Sequence, residues 1–379
     1  MIAFEEMPPT APHAPLVWHI THGQHADAAT VRDWLATQRT LYDARLDRYG
    51  AVLIRGFAAL RAAEDFAIVL GATGADLLDY VGGTSPRRAV CGRIMTATEV
   101  PSDYSIPIHQ EMSYTAHPPA RIAFFCERPA DAGGETTLAD MREVTRRIGE
   151  DVLQRFALKG GVQLRRNLPL PEQAVLRPGV PKPWTEVFGT TRRDTVETTA
   201  AARGWRTGWL DDGSLQLWQE VLPATRVHPR TGDELWFNQL HIFAPLAALR
   251  WARKDGRHAL AGRLDAALRD TPERVDGILH GDGTPVADAD VLHVAEVLDA
   301  CALPHAWQAG DLLMLDNLLT GHGRRQYHGA RSILTALIGP RDLCDARGPA
   351  DPPDANSHVN KDYPNPAHRT ATALDEANA

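Results

Sequence analysis

His109, Gln110 and Glu111 put an imidazole and a carboxylate two positions apart. At the end of an extended segment, positions i and i+2 point to the same side. Both groups would then face one point in space. A third ligand from elsewhere would complete a two-histidine, one-carboxylate set, which leaves coordination positions open and suits iron(II) oxygen chemistry. The same pair equally fits a His and a Glu on a solvated strand face. The second half of the chain offers the third ligand: His322, in L-D-N-L-L-T-G-H-G-R-R, follows a strand-like run ending in Asp316 and Asn317. Further on, Arg331 opens another apolar run. A guanidinium in an apolar setting needs an anion, and its fork matches a carboxylate. That carboxylate is either the far end of a small metal-chelating diacid or a protein acid in a salt bridge.

The elements that must position these groups are read from periodicity. A helical pattern covers about 27–49 and stops at Gly50, and A-V-L-I-R-G-F (51–57) reads as a buried strand. A helix follows over about 62–70, then a Gly-rich stretch (81–88) and a strand around 90–97. A-R-I-A-F-F-C-E (120–127) reads as a strand, and Asp140 caps a helix to about Phe156. H-P-R-T-G-D (228–233) reads as a hairpin turn into the strand E-L-W-F-N-Q. Residues 244–300 are mainly helical. Strands return at 306–317 and 331–339. Short strands at both ends of the chain must pair at long range, and a closed or double-sheet architecture removes their edges. The expectation is a β-rich α+β protein with a jelly-roll (double-stranded β-helix) core and helical insertions. Residues 1–15 are expected to form a flexible arm, 16–345 a single domain with a lid-like insertion around 160–235, and 346–379 a polar tail.

Composition excludes several classes. Of 379 residues, 44 % are hydrophobic and 23 % charged, which are globular values. A net charge of -8 argues against a general nucleic-acid binder. The four cysteines form no C-x-x-C pair, so a zinc ribbon or dithiol redox site is not expected. The acidic, Pro-broken start is unlike a secretory signal, and no run of 18 apolar residues exists. A cytoplasmic protein without a membrane partner is expected. A His/Glu/His set would also serve a metal-dependent hydrolase, and a jelly roll can simply bind a ligand.

Several motifs in order narrow this: G-G-T-S-P-R (82–87), I-P-I-H-Q-E-M-S-Y (106–114), G-G-E-T (133–136), W-F-N-Q (236–239), G-D-L-L-M-L-D-N (310–317) and H-G-R-R-Q-Y-H-G-A-R (322–331). Together they resemble the TauD/TfdA superfamily of iron(II)/2-oxoglutarate dioxygenases, on its SyrP-like, clavaminate synthase-like branch. The resemblance runs from about residue 50 to Gly339. It implies that His109, Glu111 and His322 ligate iron(II). It also implies that Arg331 pairs with the distal carboxylate of 2-oxoglutarate and that the Thr136 hydroxyl bonds the same group. Taurine dioxygenase has a second arginine where this chain has Thr335, so the resemblance leaves the anchoring to Arg331. It hints that Asn238 and Gln239 line a substrate pocket, and Tyr114, following the metal motif, is a further candidate. With 2-oxoglutarate and O2 as co-substrates, the implied reaction is oxidation of a small molecule. Glu111 favours hydroxylation, or a related desaturation or cyclisation, over halogenation, since halogenases replace that ligand with a small residue. SyrP-like relatives commonly act on amino acids, free or tethered to a carrier protein, in specialised metabolism such as antibiotic biosynthesis.

Overall fold

The computed structural model describes residues 1–11, 14–80, 87–171 and 183–340. The expected polar tail and most of the G-G-T-S-P-R motif lie outside the described residues. The chain is a mixed α/β protein built around two sheets. The larger is nine-stranded, with Leu312–Asp316, Arg121–Arg128 and Ser332–Ile338 adjacent at its centre and Ala51–Arg55 beyond Leu312–Asp316. The smaller is four-stranded, in the order Leu303–His305, Thr136–Asp140, Thr320–Arg324, Ile106–His109.

The central strands are apolar almost throughout because both faces of the large sheet are covered. Val52, Ile54, Ala123, Phe125, Met314 and Leu334 pack on the N-terminal helices through Val31, Leu46 and Phe66. Their neighbours Leu53, Ile122, Phe124, Leu313 and Ile333 face the other way and share a core with Ile108 and Leu138 of the small sheet. The period of two in the sequence thus becomes two layers of core.

Residues 3–7 correct the flexible-arm expectation. Ala3–Met7 is an edge strand antiparallel to Leu16–His22. Phe4 stacks on Trp18 at 4.4 Å, which anchors a segment whose remaining side chains are mostly polar or exposed. The helical pattern at 27–49 divides into Ala28–Thr37 and Arg39–Tyr49. Gly50 then turns left-handed at φ 71, where a Cβ would meet Thr320 Oγ1 at 2.3 Å. Asp140 caps its helix by accepting from the Arg142 N–H, but Gly149 splits the run into Met141–Ile148 and Glu150–Leu158.

The 160–235 insertion supplies Val162–Leu168, Arg206–Trp209 and Leu215–Trp218 to a further four-stranded sheet, completed by Gly277–His280 from outside it. It has its own cluster around Trp184, Phe188 and Val196.

Candidate metal centre

The small sheet brings the two histidines together. His109 and His322 are direct partners across antiparallel strands, and their ring centroids lie 4.5 Å apart. Glycines flank His322 because the neighbouring strands crowd it. A Cβ on Gly323 would sit 2.4 Å from the Ile106 carbonyl oxygen and 2.7 Å from Thr137 Oγ1.

Glu111 reaches the same point by a different route from the one its spacing suggested. The strand ends at His109, and Glu111 lies in the following turn. Met112, next in the chain, has φ 52, the one positive value for a non-glycine among the described residues. Such local strain persists only where surroundings hold it, and Asn317 holds it here. Its Oδ1 accepts the Glu111 N–H at 2.8 Å, while its Nδ2 donates to the Glu111 and Pro119 carbonyls at 2.9 and 2.8 Å. Gln110 turns away and donates to the Leu318 carbonyl at 2.9 Å.

One donor atom each from His109, Glu111 and His322 lies within 4.8 Å of the others. His109 Nδ1 donates to the Pro107 carbonyl at 2.9 Å, which leaves Nε2 with its lone pair. His322 Nε2 stands 3.6 Å from Glu111 Oε2, and its Nδ1 is buried without a partner among the described residues. Burial, with the neighbouring His322, pulls His109 down to about 3, so the ring is neutral at ordinary pH. Burial would raise the Glu111 carboxyl, but Arg87 and His322 outweigh it and hold the group below the usual carboxylate range. Two imidazoles and a carboxylate that converge on one point fit a ferrous ion.

Beside the centre, a small cavity is lined by Thr136, Arg331, Thr335 and Phe124 along with both histidines. Thr136 Oγ1 accepts from Trp307 Nε1 at 3.0 Å, so its own proton is free to donate. Arg331 donates through Nε to the Gly134 carbonyl at 3.1 Å. Burial and the nearby Arg324 push it down to about 10, and no described carboxylate offsets them. The salt-bridge alternative for Arg331 therefore has no partner among the described residues.

A larger cavity of about 270 Å³ opens from His109 and Glu111 on the other side. Tyr114 and Gln239 line it, but Asn238 does not. Asn238 donates to the Ala224 carbonyl and accepts from the Leu240 N–H, which commits its amide to the backbone. Gln239 also donates to the Gln110 carbonyl at 2.7 Å, so part of its work is bracing the metal turn. The outer wall comes from 242–264, and none of the described residues of the 160–235 insertion lines this cavity. Among the described residues, that insertion is not a lid over it.

Sequence reasoning missed three participants. Arg87 is paired with Glu111 at 2.7 Å. Arg324 is buried, donating to the Val100, Pro101 and Tyr104 carbonyls. His241 braces the His109 strand, with Nε2 donating to the Ile108 carbonyl at 2.7 Å. Nothing local marks any of them, apart from the position of Arg87 in the G-G-T-S-P-R motif.

Three convergent donor side chains therefore lie beside a small cavity that holds a buried arginine and a free hydroxyl. The Taurine catabolism dioxygenase TauD, TfdA family matches residues 12–337, and the chain belongs to it. It is a 2-oxoglutarate-dependent dioxygenase, using iron(II) and O2. The chain is 31 % identical over 298 residues to the dapdiamide synthesis protein DdaC of Enterobacter agglomerans, covering 79 % of this chain and 84 % of that protein. It is 31 % identical over 307 residues to a clavaminate synthase-like protein of Arabidopsis thaliana, covering 80 % and 86 %. The PvcB crystal structure from Pseudomonas aeruginosa aligns with a TM-score of 0.45 at 15 % identity, over 90 % of this chain and 92 % of that one.

Proposed function

We propose that this protein hydroxylates an amino acid or amino-acid-derived small molecule at an iron centre held by His109, Glu111 and His322. The observation that carries the reading is convergence. Two strand partners and a clamped turn aim three ligands at one point, beside a buried arginine with no described protein acid. The two sheets sharing one core support a jelly-roll core. When bound, the metal and its co-substrate supply the oxidising chemistry.

The chain's own residues bind, orient and exclude water. Arg331 pairs with the distal carboxylate of 2-oxoglutarate in bidentate fashion, and Thr136 donates its hydroxyl to the same group. Asn317 and Gln239 fix the turn that aims Glu111. Tyr114 and Gln239 face the substrate in the larger cavity, with Trp251 and Tyr104 as apolar walls. Substrate held there would lie against His109 and Glu111, which is the positioning that oxidation at a metal they hold would need. The carboxylate ligand favours hydroxylation; the same cofactor chemistry also serves desaturation or cyclisation.

DdaC's name places that relative in dapdiamide synthesis, which supports a role in specialised or antibiotic metabolism, with substrate free or presented by a carrier protein. Among the described residues, no helix is long and apolar enough to cross a membrane. A cytoplasmic location fits the composition. The test is to load the protein anaerobically with iron(II), add 2-oxoglutarate and a panel of amino acids, admit O2 and follow succinate and product masses. Substrate-dependent succinate with a product heavier by one oxygen is the expected result. Succinate independent of iron or of every amino-acid substrate would refute the reading.

A further inference from the structure

Arg87 stands at the centre without an assigned role. Its guanidinium is 2.7 Å from Glu111 Oε2, with only 6 % and 4 % of the two side chains exposed. It packs over the Tyr80 ring at 4.3 Å. One nitrogen serves Glu111; Nε and Nη1 are buried and have no hydrogen-bond partner among the described residues. Leaving two charged donors unpaired in a buried site is costly, so they call for an anionic oxygen. Arg87 lines the cavity that also holds Thr136, Arg331 and both histidines. It does not line the larger cavity walled by Tyr104 and Trp251.

We infer that Arg87 is a second cation of the co-substrate site, tying the Glu111 carboxylate to the metal-binding, keto-acid end of 2-oxoglutarate. The division of labour is then geometric. Arg331 and Thr136 read the distal carboxylate, while Arg87 reads the end that chelates the metal. One guanidinium offers both contacts because its donors project in a fixed fork. This inference rests on the iron and 2-oxoglutarate reading above.

Binding separates the two ends. The wild-type protein, Arg87→Gln and Arg331→Gln are titrated calorimetrically with 2-oxoglutarate and with succinate in the presence of Mn(II), and Mn(II) affinity is measured separately. Succinate keeps a distal carboxylate but lacks the keto-acid end. Arg87→Gln is expected to weaken 2-oxoglutarate about 10- to 100-fold while changing succinate less than threefold or so. Arg331→Gln is expected to weaken both. Unchanged 2-oxoglutarate affinity in Arg87→Gln overturns the inference. So does a loss shared equally by succinate, or one explained by weaker Mn(II) binding. Should Arg87→Gln fail to fold by circular dichroism, Arg87→Lys is used; it keeps the charge without the fork and is expected to lose part of the 2-oxoglutarate affinity, and full wild-type affinity there overturns the inference. A wild-type protein that binds no 2-oxoglutarate with Mn(II) would instead sink the oxygenase reading itself.

Discussion

Two clusters of histidine and carboxylate lie among the described residues, and they differ in what their donor atoms already do. His109, Glu111 and His322 form one; Asp47, His228 and Asp316 form the other. In the second, His228 Nδ1 accepts the Arg230 and Thr231 N–H groups, and Nε2 faces Asp316 Oδ2 at 3.1 Å. Asp316 Oδ1 accepts the Leu318 and Leu319 N–H groups, and Arg230 reaches Asp47 at 2.5 Å. Both ring nitrogens are committed, so that cluster is a polar tie at the turn leading into the His322 strand. In the first, His109 Nε2 makes no hydrogen bond among the described residues, and His322 Nε2 meets only Glu111, at 3.6 Å. Proximity of ligand types is common to both, and unspent lone pairs distinguish the candidate metal centre.

The contrast breaks most readily at the ligands. Glu111→Ala is expected to abolish iron binding and 2-oxoglutarate-dependent succinate release. His228→Ala should still bind one iron per chain while losing about 1–3 kcal/mol of stability, since the buried Asp316 Oδ2 loses its nearest partner. Metal analysis and chemical denaturation read both; iron lost from His228→Ala with stability unchanged would reverse the assignments. Next in size, Arg331→Gln should weaken 2-oxoglutarate about 10- to 100-fold with the metal site intact, read by titration calorimetry. Asn317→Ala sharpens the comparison further, because it touches the backbone of Glu111 and not its carboxylate. A fall of about 10- to 100-fold in metal affinity is expected, and an unaltered affinity would show that the turn holds itself.

The smallest effect is on pH dependence of the metal-free protein. Burial pulls His241 from 6.5 down to about 4, and His109 down to about 3. Below pH 6.5 the unfolded chain therefore binds protons that the folded chain refuses. Stability is full above pH 6.5 and declines as pH falls toward 4, by roughly 1 kcal/mol per unit for each group. Denaturation midpoints between pH 7 and 5 check it, and His241→Gln should flatten the slope.

Much of this was legible in the chain. Continuous apolar runs marked the central strands, and H-P-R-T-G-D marked a hairpin turn that the structure places between Thr225–Val227 and Glu234–Trp236, while the strand spacing read for His109 and Glu111 gave way to a strand end and a turn. The errors differ in cause. The N-terminal strand and the commitment of Asn238 depend on partners elsewhere in the chain, Leu16–His22 and the Ala224 carbonyl, whereas the helix divisions at Gln38 and Gly149 are local, with Gly149 at φ 88.

By itself the sequence determined the central strands of the large sheet, which residue types could ligate a metal and which family the motifs resemble. Periodicity and side-chain chemistry are local properties, written in consecutive residues. Only the tertiary structure decided that His322 lies opposite His109, that Asn317 clamps Glu111, that Arg87 shares its carboxylate and that His228 is spent on Asp316. Those facts follow from strand register and long-range packing, where one residue of slip turns a side chain to the opposite face.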